Sequence, residues 1–231
     1  MTNVTENRTK AVAVVGMAGR FPGAPTKEAF WKMLLDGRYN YAELSSDRLN
    51  QYLYFSPLEG ATGTTYSKVG AAFEMVRAPQ NNDLSGSITE DPGHQVALAV
   101  ALDACRDAGY SSEDFPFRRA GVFMGCTRLS LLGCDQMFVK GLPVVLNYLN
   151  QVPAFTKLAS SIRGPILREA RQRLQEEYAF TSRFAAHRLA SKLAAWNIAH
   201  TLNLSGPAMV MDAACSSSLA ALSLAARALS A

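Results

Sequence analysis

The chain has 231 residues, of which 48% are hydrophobic and 18% are charged, a composition that excludes a disordered or fibrous protein. Its net charge is only +4 and it contains no long run of lysine or arginine, so nothing indicates a nucleic-acid partner. The N-terminal apolar run is far too short for a signal peptide or a membrane span. The four cysteines show neither a Cys-x-x-Cys pair nor a histidine at ligand spacing, which argues against a metal site and favours the reducing cytoplasm.

The N-terminal part of the chain predicts a tail, a strand and a helix. Residues 1–10 are polar, and we expect them to be disordered. Residues 11–15 are apolar and predict a buried first strand. Thr26 or Pro25 opens a helix that ends at Gly37. The glycines between this strand and this helix match neither a Walker loop nor a dinucleotide fingerprint, so we expect a structural turn there.

In the middle of the chain, the sequence predicts loops first, and then a helix and a strand. Residues 39–90 are rich in serine, asparagine, glycine and tyrosine, which favours loops around short elements. Asp91 is the expected N-cap, and Pro92 the first turn, of a helix that Gly109 terminates. Residues 120–125 then predict the next strand.

Residues 129–180 predict a series of short helices, which are divided by Pro143, Pro153 and Pro165. Within this segment, residues 166–178 have a strongly helical composition, with apolar side chains spaced for one buried face. The default interpretation of the charged faces is that they are solvated. The alternative hypothesis is a docking patch for an acidic protein, in which the basic residues are Arg168, Arg171 and Arg173.

The most specific pattern of the chain surrounds Cys215. Gly206-Pro207 breaks the chain, residues 208–211 predict a short buried strand, and the serines after Cys215 supply helix-start chemistry. From residue 219 the helix is almost entirely alanine and leucine, which predicts burial on nearly every side. The thiol is thus expected on a tight turn at a helix N-terminus, where partial positive charge and free N–H groups favour a reactive cysteine. This predicts a nucleophile, and the alternative is a small buried hydrophobe.

The sequence around Cys215 resembles the active-site signature of the β-ketoacyl synthases, the condensing enzymes of fatty acid and polyketide assembly. It reads Asp-Ala-Ala-Cys-Ser-Ser-Ser-Leu, where that family usually has Asp-Thr-Ala-Cys-Ser-Ser-Ser-Leu. The opening Val-Val-Gly-Met-Ala-Gly-Arg-Phe-Pro-Gly and the turn Leu-Ser-Gly-Pro-Ala before the last strand also resemble the family. The resemblance runs from about residue 11 to residue 231 and is weakest between residues 39 and 90.

This resemblance implies an α/β protein with the N-terminal half of the thiolase-like fold, one mixed sheet of about five strands flanked by helices within an αβαβα sandwich. It makes residues 11–231 one ketosynthase half-domain, with an inserted helical segment at about residues 129–180. The enlarged segment is similar to ketosynthases of the polyunsaturated fatty acid and enediyne type. Cys126, after the strand at residues 120–125, is expected to be a small buried residue.

The resemblance also implies a reaction, in which Cys215 accepts an acyl group and its backbone N–H donates to the oxyanion. The acyl-enzyme then undergoes decarboxylative condensation with malonyl-carrier. The partner is an acyl carrier protein with its phosphopantetheine arm as the substrate arm, and no cofactor is expected to be bound. Carrier binding is the hypothesis for the three arginines, Arg168, Arg171 and Arg173.

The family draws its two catalytic histidines from motifs of the C-terminal half, and neither motif occurs in this sequence. We therefore expect a complementary C-terminal half, on a separate chain or as a continuation, and a homodimer without a nucleic-acid or membrane partner. Core or surface roles, rather than a base role, are expected for His94, His187 and His200.

Two other interpretations stay open. The chain can be a non-catalytic ketosynthase-like module that dimerises or scaffolds a synthase, although such relatives typically lose the cysteine that is retained here at position 215. It can also be another thiolase-fold acyltransferase, such as a relative of thiolase or chalcone synthase, which the Cys-Ser-Ser-Ser motif disfavours. A preference for carrier-bound over coenzyme A-bound substrate would distinguish the ketosynthase from this last class.

Overall fold

The structure, a computed structural model, describes residues 11–46, 48–72, 91–111, 115–127, 131–177 and 190–230. The chain divides into two compact units, one with Val14–Val76 and Ala99–Ser111, the other with Met1–Ala13, Arg77–Leu98 and Ser112–Ala231. The predicted tail at residues 1–10 and the residue His187 lie outside the described residues. Among the described helices, none has the length and apolar character that a membrane span requires.

The unit that contains residues 14–76 begins with helix α1 (Lys27–Leu35). Thr26 caps it as predicted, because its Oγ1 accepts a hydrogen bond of 3.2 Å from the Ala29 N–H. The remaining elements are short, as expected for this region, and they are β1 (Ala42–Glu43), α2 (Gln51–Tyr54) and β2 (Val69–Gly70). Strands β1 and β2 pair antiparallel.

Helix α3 (Pro92–Asp107) starts as the sequence predicts. Asp91 is fully buried, and its Oδ1 accepts the backbone N–H groups of Gly93 at 2.9 Å and His94 at 3.4 Å. His94 is buried in the first turn. Burial lowers the pKa of His94 because it disfavours the charged imidazolium, and the Asp91 carboxylate opposes this effect.

The buried first strand predicted for residues 11–15 is wrong. The described chain forms no strand there, and Val14 and Val15 are 75% and 71% exposed. A strand needs a neighbouring strand for its backbone hydrogen bonds, and an apolar run does not by itself supply that neighbour. The following Gly16 packs closely against α3, since a Cβ there would lie 2.3 Å from the carbonyl oxygen of Ala104.

The unit that contains residues 112–231 is built on the parallel strand pair β3 (Val122–Gly125) and β4 (Ala208–Met211). In this register Val122 pairs with Ala208 and Gly125 with Met211. The resemblance implies a sheet of about five strands. In this unit, the described residues form these two strands of it. Helices α7 (Lys192–Thr201) and α8 (Ser217–Ser230) pack against both strands.

Between β3 and α7 lie three helices, α4 (Leu131–Leu149), α5 (Pro153–Thr156) and α6 (Ser160–Glu177). Pro153 starts α5 as predicted, but Pro143 and Pro165 lie inside α4 and α6, so the prediction that they divide these helices is wrong. A proline in a helix interior removes one backbone hydrogen bond and strains the turn before it. In α4 the buried Leu142 and Leu146 flank the proline, and their packing stabilises the continuous helix.

Helix α8 differs from the prediction of burial on nearly every side. Ala221 is buried against the strand pair, whereas Leu219, Leu222 and Leu229 are 71%, 62% and 74% exposed. The described residues therefore cover one side of this helix and leave a row of leucines accessible. Amino-acid composition shows that a helix is apolar, but it does not show which neighbouring element covers each face.

Candidate active site

The strand, turn and helix predicted around Cys215 are all present. The prediction that the strand is buried is wrong, because Ala208 and Met209 are exposed and Val210 and Met211 are half-buried: the described neighbours cover only part of it. Strand β4 ends at Met211, a single 3-10 turn spans Ala214–Ser216, and α8 begins at Ser217. Cys215 lies in the middle of this turn and is exposed. We call residues 212–217 the cysteine turn. The thiol is thus presented at the carboxyl end of a strand and at the start of a helix.

The backbone of the cysteine turn takes an unusual conformation one residue before the thiol. Ala214 has φ of +49°, in the left-handed region that residues with a Cβ rarely adopt. Such a conformation costs about 1–3 kcal/mol and persists only where neighbouring contacts hold it. One of these contacts is a hydrogen bond of 3.1 Å from the Ala214 N–H to the Asp212 Oδ1.

Ser217 supplies two further contacts. The sequence pattern does not distinguish the three serines after Cys215 from one another and did not predict this role. Its hydroxyl accepts a hydrogen bond from the Ala213 N–H at 2.9 Å and donates one to the Ala214 carbonyl at 2.6 Å. The Ser217 side chain is only 5% exposed, although the residues on both sides of it are exposed. Ser217 therefore bridges the two residues that precede Cys215.

Gly125 of strand β3 packs against the backbone at the end of the cysteine turn. A Cβ at this position would lie 2.5 Å from the Ser217 carbonyl carbon and 2.6 Å from the Ser218 nitrogen. These are backbone atoms that cannot rotate away, so only glycine allows the first turn of α8 to approach the strand this closely. The position of Cys215 therefore depends on a residue of a different strand.

The Cys215 N–H has no hydrogen-bond acceptor among the described residues, whereas the N–H groups of Ala213, Ala214 and Ser216 are bonded within the turn. A free N–H at the start of a helix suits a developing negative charge.

Cys126 follows β3 at the same edge, where its N–H donates to the Met211 carbonyl at 3.0 Å. It is partly exposed, so the prediction that Cys126 is buried is wrong, because it lies just past the end of the strand.

No histidine of the described residues is hydrogen-bonded to Cys215. His200 is exposed near the end of α7, and its ring stacks on Trp196 with centroids 4.8 Å apart. The roles foreseen for His94 and His200 stay predictions. In the described part of the chain, no cluster of three or more His, Cys, Asp or Glu side chains is placed to hold a metal ion.

The structure separates the three arginines of α6. Arg168 and Arg171 line a groove between α4 and α6. Arg173 instead forms an ion pair one turn back along the helix, with Nη2 2.6 Å from Oε1 of Glu169. The three residues therefore do not form one patch, and carrier binding by them stays a prediction.

The fold and the cysteine turn define an α/β protein of the thiolase-like class. The chain belongs to the β-ketoacyl synthase family, because the family model for the β-ketoacyl synthase N-terminal domain matches residues 9–231. This confirms the resemblance on which the interpretation of Cys215 rests.

Two relatives are large polyketide synthases. Polyketide synthase ThaG of Burkholderia thailandensis is 30% identical over 95% of this chain and 3% of its own length. A mycocerosic acid synthase-like polyketide synthase of Mycolicibacterium smegmatis is 30% identical over 98% of this chain and 9% of its own length. The chain thus spans less than a tenth of either relative.

Solved ketosynthases share the fold. An oxazolomycin ketosynthase domain of Streptomyces albus superimposes with a TM-score of 0.63 at 25% identity, over 94% of this chain and 31% of that chain. The ketosynthase from module 6 of the bacillaene synthase of Bacillus subtilis gives a TM-score of 0.62 at 23% identity, over 94% of this chain and 29% of that chain. The chain therefore spans about a third of the ketosynthase structures that it resembles.

Proposed function

We propose that this chain is the acyl-accepting part of a β-ketoacyl synthase of polyketide assembly, with Cys215 as its nucleophile. The observation that carries the proposal is the exposed thiol on the cysteine turn, next to its own backbone N–H, which has no acceptor among the described residues. The family and the polyketide synthase relatives support the reaction class. A free thiol nucleophile suits the reducing cytoplasm, where we place the reaction.

In the first step the Cys215 thiolate attacks the carbonyl carbon of an acyl thioester on an acyl carrier protein. A C–S bond forms at Cys215, and the C–S bond to the phosphopantetheine sulfur breaks. The cysteine thiol releases one proton when its thiolate forms, and the leaving thiolate of the phosphopantetheine takes up one proton. The Cys215 N–H donates to the oxyanion that develops between these events.

In the second step a malonyl group on the carrier loses CO₂, and the resulting carbanion attacks the acyl carbon on Cys215. A C–C bond forms, Cys215 leaves as thiolate, and the carrier holds a β-ketoacyl thioester. We assign stabilisation of the carbanion to the C-terminal half of the ketosynthase, on this chain's continuation or on another chain. That assignment is supported by the length of the solved ketosynthases, of which this chain spans 31% and 29%.

A non-catalytic dimerisation module is the second candidate function. The exposed Leu219, Leu222 and Leu229 support it, because a row of accessible leucines on one helix suits a protein interface. We propose that a second copy or the complementary half covers this row in the assembled enzyme.

The polyketide synthase relatives do not decide the subgroup, and the polyunsaturated fatty acid or enediyne type stays a prediction.

Acylation of the synthase that carries this chain tests the proposal. Incubation with a short acyl N-acetylcysteamine thioester and peptide mass spectrometry should find one acyl group on Cys215. Cys215→Ala should lower the rate of condensation by about 10³-fold or more. The matched control is Cys126→Ala, which removes the thiol at the same strand edge and should leave acylation intact.

Two outcomes would refute the proposal. A folded protein without an acyl group on Cys215 would favour the dimerisation module. Faster acylation from coenzyme A thioesters than from carrier thioesters would instead favour another thiolase-fold acyltransferase.

A further inference from the structure

A groove runs between α4 and α6, away from the cysteine turn in sequence, and we name it the α4–α6 groove. Its volume is about 340 Å³, and the residues that line it include Leu146, Asn147, Asn150, Leu167, Arg168 and Arg171. Leu146 is buried and Leu167 is half-buried, so these two side chains form an apolar floor. Arginine lines one wall and asparagine the other.

In the part of the chain that the structure describes, no carboxylate lies within ion-pair distance of the groove residues Arg168 and Arg171, whereas Arg173 is paired with Glu169. On helix α4, the charged side chain that the structure describes is the cation Lys140. The groove therefore carries positive charge that the described protein does not neutralise.

The spacing of these groups suits a helix with carboxylates. Arg168 and Arg171 are three residues apart on α6, which places their Cβ atoms about 5–6 Å apart on one face. Asn147 and Asn150 have the same spacing on the other wall. A guanidinium matches a carboxylate with two parallel hydrogen bonds, and asparagine amides can donate to further carboxylate oxygens.

The exposure of the arginines favours a protein over a small anion as the occupant. Both Arg168 and Arg171 are exposed, so a single small anion would stay hydrated and bind weakly. An amphipathic helix can instead place an apolar side chain on Leu146 and Leu167 and two carboxylates on the arginines at once. Recognition of an apolar helix face by a groove is a recurring mode of peptide binding.

We infer that the α4–α6 groove docks an acidic amphipathic helix of the acyl carrier protein, with Arg168 and Arg171 as its anion contacts. Arg173 is not part of this site, because it is already paired with Glu169. The inference rests on the proposed function, which requires a carrier to deliver the acyl group. It adds where on this chain the carrier binds before its arm reaches Cys215.

The test compares carrier binding with acylation from a substrate that needs no carrier. The synthase that carries this chain is titrated with the apo form of its own acyl carrier protein, which lacks the phosphopantetheine arm. The double variant Arg168→Glu/Arg171→Glu should weaken binding by about tenfold or more, since it reverses two charges at the contact. Carrier-delivered acylation at subsaturating carrier should fall by the same factor, and acylation by an N-acetylcysteamine thioester should not change.

Arg173→Glu is the matched control for each single reversal, Arg168→Glu or Arg171→Glu, since it makes the same change of charge on the same helix. It should alter binding by less than about twofold, because this side chain does not line the groove. An equal loss in Arg173→Glu would mean that only net charge matters, and it would overturn the inference. Unchanged carrier binding in the double variant would overturn it as well.

Small anions distinguish a carrier-docking groove from a simple anion site. If the double variant loses affinity for coenzyme A or inorganic phosphate but not for the apo carrier, the groove is a small-anion site and the inference fails. If N-acetylcysteamine thioesters do not acylate Cys215 in the unmodified protein, the proposed function fails. The carrier-binding measurement does not depend on acylation, so it still tests whether the groove binds the carrier.

Discussion

Removal of the Ser217 hydroxyl tests whether a buried serine holds the reactive cysteine in place. Ser217→Ala deletes the group that accepts from the Ala213 N–H and donates to the Ala214 carbonyl. The change leaves Cys215 itself and the charge of the turn untouched. Any effect on Cys215 chemistry must therefore pass through the position of the turn.

The expected magnitude follows from the exposure of the two partners. Ala213 and Ala214 are exposed, so water can replace the lost contacts, and each hydrogen bond is worth its net value of about 0.5–1.5 kcal/mol. We expect the free energy of unfolding to fall by about 1–3 kcal/mol in total. The left-handed conformation of Ala214, which itself costs about 1–3 kcal/mol, then has the Asp212 contact as its remaining side-chain support in the described turn.

A relaxed turn moves the Cys215 thiol and its N–H out of position. We expect the rate constant for acylation by an N-acetylcysteamine thioester to fall by about tenfold, which corresponds to about 1.4 kcal/mol of transition-state stabilisation. Urea unfolding measures the stability change, and quench-flow with peptide mass spectrometry measures acylation of Cys215. Both use the synthase that carries this chain.

Ser218→Ala is the control for Ser217→Ala. Ser218 is the next residue, is exposed, and its hydroxyl makes no hydrogen bond among the described residues. It should change stability by less than about 0.5 kcal/mol and leave acylation as it is. Equal effects of the two substitutions, or wild-type acylation in Ser217→Ala, would refute the bridging role.

Two further predictions concern backbone packing and pH. Gly125→Ala should destabilise the protein by about 3 kcal/mol or more and slow acylation, because its Cβ would meet the backbone of α8 at 2.5 Å. Gly141→Ala, in open space on α4, should instead stabilise by about 0.5–1 kcal/mol, and urea unfolding that ranked the two alike would contradict this reasoning. The Lys27 ammonium, and then the Met17 N–H, hold the pKa of Asp107 below its usual range. Wild type should therefore have a higher thermal midpoint than Asp107→Asn near pH 7. The difference should begin to shrink below about pH 4, where an unfolded aspartate takes up its proton, and should be lost as the pH falls through the lowered pKa of the folded carboxyl. A difference that stayed constant over the whole acid range would show that the carboxylate charge is not its cause.

Local patterns gave the most reliable predictions from the sequence. Thr26 and Asp91 cap their helices as predicted, because a cap depends on a side chain and an N–H two or three residues away. The cysteine turn was likewise predictable from the break at Gly206-Pro207, the short apolar run and the serines. Each of these signals lies within a few residues of the structure that it determines.

Features that depend on distant parts of the chain were not predictable. Residues 11–15 have strand-like composition without a described neighbour to pair with, and Pro143 is accommodated by packing that the local sequence does not show. Ser217 is buried whereas the adjacent serines are exposed, and its backbone packs against Gly125, a residue of β3 that is distant in sequence. Three serines in a row give no sign of which hydroxyl faces the interior.

The pairing of β3 with β4 has a consequence for the order of folding. Val122 pairs with Ala208, so the chain closes a loop that contains all of α4, α5, α6 and α7 before this parallel pair can form. Closing a long loop costs chain entropy before the pairing compensates for it, which makes such contacts late and slow. The cysteine turn rests on both strands, so Cys215 acquires its defined position only after that closure. While the chain is still unfolded, its thiol has the reactivity of any cysteine in a flexible peptide.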